Sequence, residues 1–219
     1  MGEVNLLDQY PRSKRPIDER AHLITDEHRR IARQFGPEFF DGDRLYGYGG
    51  YNYHPRFWQP TVKRFRDYYG LPANARILDV GCAKGFMLHD FKELMPQATV
   101  AGLDLSTYAV ENALPSVKPF IQVADAKKLP YPDNSFDLAV SITSIHNLPL
   151  GECKLAIREI QRVSRRHAFL TVDAWRNDAE RESLLKWNMT ALTHMHVDEW
   201  KQIFDELGYR GDYYWFIAE

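Results

Sequence analysis

Residues 76–86 constrain this chain more than any other segment. Ile77-Leu-Asp-Val80 is an apolar run of strand length, Gly81-Cys-Ala-Lys-Gly85 is a tight turn bounded by glycines, and Phe86 opens a stretch with helical spacing. Glycine lets the backbone approach a ligand closely, and a helix N-terminus offers unpaired N–H groups to an anionic or polar moiety. The segment therefore implies a nucleotide-like cofactor. A dinucleotide fingerprint wants GxGxxG, whereas the glycines here stand at 81 and 85. A phosphate-binding P-loop wants GK followed by Ser or Thr, whereas Lys84 is followed by Gly85 and Phe86. The spacing weakens both readings, and a glycine turn without functional meaning stays as the bland alternative.

Downstream, strand-like and helix-like runs alternate: 76–80, 86–95, 99–103, 108–114, 120–123, 136–142, 152–163 and 168–172. Such alternation predicts an α/β fold, a doubly wound and mostly parallel sheet with helices on both faces. Upstream, residues 1–16 read as an arm and Ile17 to Phe35 as an amphipathic helix stopped by Gly36-Pro37. Asp41 to Tyr53 reads as an exposed, mobile Gly/Tyr loop, and Pro55 opens a helix that ends at Gly70. Residues 1–70 are thus expected to be an arm, a helical cap and a lid loop, and residues 71–219 the cofactor-binding domain, all within one structural unit. A stripe at Val197, Trp200, Phe204 and Leu207 predicts a late helix, and Tyr213–Ala218 a final strand.

At 219 residues, with 44% hydrophobic and 26% charged residues, the chain suits one soluble globular domain. A formal net charge of -2 argues against a broad nucleic-acid-binding face, so no nucleic-acid partner is expected. Cys82 and Cys153 supply no disulfide framework and no CxxC metal pattern. No apolar run approaches the ~18 residues of a membrane helix, and the first residues lack a signal-peptide pattern. The expected location is cytoplasmic, with no membrane partner, and a homodimer is left open.

Two further acids follow strands. Thr99-Val-Ala-Gly-Leu-Asp104 ends in a carboxylate suited to the two hydroxyls of a ribose, and Val123-Ala-Asp125-Ala126 repeats the arrangement after the third strand. With these in place, the chain resembles a class I (Rossmann-like) S-adenosylmethionine-dependent methyltransferase of the small "type 11" kind. The matching motifs are Asp79 to Gly85, Asp104, Ala124 to Ser141 and His167 to Asp173, in that order. The resemblance implies S-adenosylmethionine as cofactor and S-adenosylhomocysteine as product. It places Gly81–Gly85 along the methionine part, Asp104 on ribose, and Asp125 and Ala126 against adenine. Asp79, Cys82, Ala83, Leu105 and Ser141 complete the expected cofactor set. Two departures stand out: Ala83 occupies the family's middle glycine, predicting a slightly tighter fit, and only one strand is evident after the last helix where the family usually has two.

On the acceptor side, ligands in open α/β sheets bind beyond the carboxyl ends of the strands. His146, just past the fourth strand, is the candidate general base, with capping of the next segment as its bland alternative. Asp173 is a second catalytic candidate, and Trp175 follows it at the same end. Tyr46, Tyr48, Tyr51 and Tyr53 are candidate acceptor contacts on the lid, weighed against simple packing of cap on sheet. His194 is a further acceptor contact. His194-Met-His196 with Asp198 is weak as a metal site, so no metal is expected. Arg158, Arg162, Arg165 and Arg166 read as a solvated helix face.

The expected function is methyl transfer to an O or N atom of a small polar metabolite, with a sugar or nucleotide-sugar suiting a site lined by Tyr, His, Asp and Trp. The alternatives are a cofactor-binding module without catalysis and a methyltransferase acting on a macromolecule. A nicotinamide oxidoreductase is disfavoured by the missing glycine spacing.

Overall fold

Strand periodicity builds the centre of the molecule. The computed structural model, which describes residues 2–11, 15–49 and 52–218, places β1 at Arg76–Val80, β2 at Thr99–Asp104, β3 at Ile121–Val123, β4 at Phe136–Ile142 and β5 at Ser164–Trp175. Helices α5 (Phe86–Leu94), α6 (Thr107–Glu111) and α7 (Leu150–Val163) connect them, with α4 (Pro55–Tyr69) packed against α5. Together with β6 (Met195–His196) and β7 (Asp212–Phe216) these form a seven-stranded sheet of order β3-β2-β1-β4-β5-β6, with β7 also on β5. Every recorded strand pairing is parallel.

Alternation along each strand sorts the core into two layers. Leu78, Val80, Ala139, Leu170 and Val172 pack toward α7 and toward α9 (Val197–Glu206) through Ile157, Ile160, Trp200 and Phe204. Ile77, Leu138, Val140 and Phe169 pack the other way, against Phe65, Leu88 and Phe91 of α4 and α5. By the same period of two, Asp79, Thr171 and Asp173 belong to the α4/α5 face, at the carboxyl ends of their strands.

After the last helix, α9 (Val197–Glu206), β7 is the single strand, as expected, whereas β6, before that helix, was not anticipated. Two strands follow the fifth. β5 is twelve residues long and offers its outer edge twice, to β7 at Phe169–Asp173 and to β6 at Ala174–Trp175. The arm continues the edge: Val4 N donates to Tyr213 O (2.9 Å), Tyr213 N to Gly2 O (3.1 Å), and Leu6 is fully buried.

The expected helix from Ile17 to Phe35 is two helices, α1 (Ile17–Ala21) and α2 (Asp26–Ala32), followed by α3 (Pro37–Asp41). Thr25 makes the break. Its hydroxyl accepts from His28 N while His28 Nδ1 accepts from Thr25 N, a reciprocal cap that starts a new helix. Between β5 and β6 lies α8 (Asp178–Trp187), which the sequence reading did not anticipate. Among the described residues, no helix is long and apolar enough to cross a membrane.

Candidate active site

The turn after β1 is built by backbone conformation. Gly81, Ala83 and Gly85 all have positive φ (81°, 48° and 76°), which brings the chain sharply from strand to helix. Gly81 N and Cys82 N both donate to Leu103 O (2.8 and 3.0 Å), tying the turn to β2. A Cβ on Gly81 would collide with the Ser144 side chain, so the turn after β1 and the loop after β4 touch at a point where only glycine fits.

Asp104 organises this end. Its carboxylate accepts from Ala83 N and Ser106 N, each at 2.8 Å. A carboxylate has about four lone-pair sites, so acceptor capacity is left over. Burial raises the Asp104 pKa, with the backbone N–H groups working against it. Asp79 is buried as well; desolvation, and then the Asp104 charge, push its pKa to about 8.

These groups open onto one cavity of about 1130 Å³, above the ~300–1,000 Å³ usual for a single ligand. Asp79, Gly81, Cys82, Ala83, Asp104, Leu105, Asp125 and Ala126 all line it. Gly85 does not; it faces Val117 and Ile121 as the cap residue of α5. Ser141 does not either, being fully buried with its hydroxyl donated to Val80 O (2.9 Å).

His146 and Asp173 line the same cavity. Asp173 N donates to His146 Nδ1 at 3.0 Å, and Nε2 of the ring lies 3.5 Å from Asp173 Oδ1. Burial holds the imidazole pKa down to about 3, with His194 adding to it, and raises Asp173 to about 7 against the opposing pull of Arg15. The ring is therefore neutral, its acceptor nitrogen is engaged, and the carboxylate is the group able to take up a proton near neutrality.

The other candidates on the acceptor side scatter. Tyr48 lines the cavity; its hydroxyl accepts from Met189 N (2.7 Å) and Thr190 N (3.2 Å), and its ring stacks on Trp187 at 5.9 Å. Tyr46 sits against His28 (5.1 Å). Tyr53 donates to Asp90 Oδ1 (2.6 Å) on α5. Trp175 and His194 pair with each other at 5.8 Å, and none of these four is among the cavity-lining residues. Tyr51 lies outside the described residues. His196 caps α9, accepting from Asp198 N, and among the described residues no three His, Cys, Asp or Glu side chains are grouped to hold a metal. Arg162, read from sequence as solvated, instead ties Glu159, Asp133 and the carbonyls of Leu129 and Tyr131 together.

The cap is pinned over the site by contacts distant in sequence. Lys84 Nζ donates to both Asp41 oxygens (2.5 and 2.6 Å), Tyr108 OH to Asp41 Oδ2 (2.7 Å), and Ser106 Oγ to Phe35 O (2.6 Å). Sequence reasoning missed Ser144, Asn147 and Arg15, all of which line the cavity. For Ser144 and Asn147 the available signal was their position between the fourth strand and its helix; Arg15 carried none.

Residues 78–172 match the family described as "Methyltransferase domain". The chain is 34% identical over 143 residues to the tRNA (carboxymethyluridine(34)-5-O)-methyltransferase of Arabidopsis thaliana, covering 64% of this chain and 33% of that protein. It is 31% identical over 139 residues to the malonyl-[acyl-carrier protein] O-methyltransferase of Legionella pneumophila, covering 61% and 47%. The chain thus spans a third to a half of the length of these relatives. In fold it is similar to the YcgJ protein of Bacillus subtilis, with a TM-score of 0.54 at 21% identity over 67% of this chain and 66% of that one. The glycine turn after β1, the acids after β2 and β3 and the parallel strand order around them all lie within the residues that match the methyltransferase domain.

Proposed function

We propose that the protein transfers a methyl group from S-adenosylmethionine to an oxygen of a small acceptor held beneath the cap. The carrying observation is that one cavity is lined both by the Gly81–Ala83 turn with Asp104 and Asp125 and by the His146–Asp173 pair. The donor set fits the cofactor. Asp79 and Asp104 are carboxylates suited to a cation and to ribose hydroxyls, Leu105 and Ala126 offer apolar contact to adenine, and the glycine turn gives backbone access. When bound, S-adenosylmethionine supplies an electrophilic methyl on a sulfonium and leaves as S-adenosylhomocysteine.

The chain's own residues then position and deprotonate. The cap, pinned by Asp41 and Phe35, excludes water and holds the acceptor near the methyl. An oxygen acceptor arriving as a hydroxyl passes its proton to Asp173, and His146 fixes that carboxylate by accepting from its backbone N–H. Oxygen rather than nitrogen is favoured because both relatives above are named as O-methyltransferases.

A nucleic-acid acceptor is the competing reading, favoured by the name of the Arabidopsis relative; the net charge of -2 speaks for a small molecule instead. A sugar or nucleotide-sugar is less favoured than a partly apolar acceptor, given the aromatic side chains Phe39, Phe40, Phe57 and Trp58 in the cavity wall. Cys82 and Cys153, free and buried, are compatible with a cytoplasmic setting.

Calorimetric titration with S-adenosylmethionine, S-adenosylhomocysteine and NAD tests the reading. Saturable binding of the two adenosyl compounds alone is expected; binding of NAD alone, or of none, overturns it. Adding tRNA to the loaded protein separates the two acceptor classes.

A further inference from the structure

Resting on the reading that Asp104 takes the cofactor's ribose, we propose that Phe35 is a cofactor-binding residue supplied by the cap, its ring covering the adenine that Leu105 supports from the sheet. A hydrogen-bond relay joins Phe35 to the acid. Ser106 N donates to Asp104 Oδ1 at 2.8 Å, and Ser106 Oγ donates to Phe35 O at 2.6 Å while accepting from Ala109 N at 3.0 Å as the cap of α6. Phe35, Asp104, Leu105 and Ser106 all line the cavity.

Two apolar side chains beside this relay stay outside the core. Leu105 is 60% exposed, and among the described residues neither it nor Phe35 joins a hydrophobic cluster. The half-buried Phe35 ring meets Phe39 edge-on at 5.2 Å. Its backbone is strained as well: just past α2, Phe35 N donates to Ala32 O at 3.1 Å with φ at 49°, in the left-handed region. A bulky residue is disfavoured there, and glycine, which tolerates that region, stands one position later at Gly36. A strained aromatic residue on a cavity wall, outside the packed core, points to a ligand that covers it.

Sheet order decides which ligand that is. Asp104 ends β2 and Asp173 lies near the end of β5, with β1 and β4 between them. Three strand spacings put the two acids about 14 Å apart. Phe35, bonded to the residue two beyond Asp104, therefore stands at the cofactor end and far from the His146–Asp173 pair. Adenine has a planar π face that stacks on an aromatic ring and leaves its polar edge for hydrogen bonds. A flexible amino-acid tail has no such face, so the nucleoside is the part that Phe35 recognises.

The test titrates the full-length protein and its Phe35→Ala and Phe35→Gly variants with S-adenosylhomocysteine, using methylthioadenosine as a competitor that keeps the nucleoside and lacks the amino-acid tail. Both variants are expected to bind S-adenosylhomocysteine about tenfold or more weakly. Phe35→Gly is expected to melt above Phe35→Ala without ligand, because it also relieves the left-handed backbone. Affinity that follows the ring while stability follows the backbone is a pattern that a purely structural phenylalanine does not give. Methylthioadenosine is expected to displace S-adenosylhomocysteine from the parent protein and to lose affinity in both variants by the same factor. Parent-like affinity in the variants, affinity restored on going from Phe35→Ala to Phe35→Gly, or a loss that methylthioadenosine does not share each overturn the proposal. A parent protein that binds no S-adenosylhomocysteine removes the cofactor reading and the proposal with it, and that is seen before a variant is made.

Discussion

The backbone N–H of Asp173 donates to Nδ1 of His146 at 3.0 Å while Nε2 of the same ring faces Asp173 Oδ1 at 3.5 Å. A neutral imidazole has one acceptor nitrogen, so this contact fixes the tautomer with the proton on Nε2. Nitrogen-15 NMR of the His146 ring is expected to show Nδ1 unprotonated, with no titration between pH 8 and 5. A ring that gains a proton near pH 6.5 sinks the assignment. His146→Ala leaves the buried Asp173 N–H without its partner and is expected to cost about 1–3 kcal/mol of stability, with cofactor affinity unchanged.

Asp79 is expected to make the cavity end beside the β1 turn pH-dependent. Its pKa in the fold is about 8 against an ordinary 3.8, so its contribution to stability is fully present below pH 3.8 and is lost as pH climbs through 8. Asp79→Asn cannot ionise, so its thermal midpoint is expected to gain on that of the parent protein steadily from pH 5 to 8.5. A cationic ligand must meet Asp79 deprotonated. S-adenosylmethionine affinity of the parent is therefore expected to rise up to about tenfold per pH unit below 8, and to be flat in the variant. A flat profile in both removes Asp79 from the cofactor's charge.

How much of this was legible before the structure depends on the range of each interaction. The strands at 76–80 and 136–142 announced themselves through continuous apolar runs bounded by turn residues, and Asp104 and Asp125 through their places just past such runs. Helix α8 did not, because only Leu184 and Trp187 of its ten residues are buried and two positions make no stripe. Strand β6 is two residues long, too short for any period. Tyr46, Tyr48 and Tyr53 look alike in sequence. Only the partners at Met189 and Thr190, more than 140 residues away, turn Tyr48 into the cavity while Asp90 draws Tyr53 elsewhere.

Ala83 occupies a left-handed backbone position at φ 48°. That conformation costs an L-residue about 1–2 kcal/mol, partly offset on replacement by the greater chain entropy of unfolded glycine, about 0.5–1 kcal/mol. Ala83→Gly is thus expected to raise the thermal midpoint by roughly 2–4 °C while keeping the Ala83 N–H on Asp104. The tighter fit expected from sequence has a component of backbone strain, and a midpoint that falls would refute it.

Gly81→Ala tests the contact between the first and fourth strand ends. The new methyl meets the side chain of Ser144, and a positive φ of 81° adds strain. Affinity for S-adenosylhomocysteine is expected to drop at least tenfold with the circular-dichroism spectrum unchanged. Adding Ser144→Gly is expected to recover part of that loss, because it removes the collision and leaves the strain. No recovery would place the damage in the backbone alone.

The cap should loosen when Asp41 changes. Its carboxylate receives Lys84 Nζ, whose residue is only 8% exposed, and the hydroxyl of Tyr108 on the helix after β2. Asp41 itself is about a third exposed, so solvent screening limits the pair, and Asp41→Asn is expected to cost about 1 kcal/mol rather than the several of a fully buried bridge. The larger effect is local. Residues 37–49 are held to the cofactor turn through this carboxylate and the Phe35–Ser106 bond, so their amides are expected to exchange with deuterium several-fold faster while α5 and β1 stay protected. Tyr108→Phe removes one of the two partners and is expected to give a smaller change in the same segment. Equal exchange in the parent protein and in both variants would mean that the cap is held by its packing against Tyr48, Phe39 and Met189 alone.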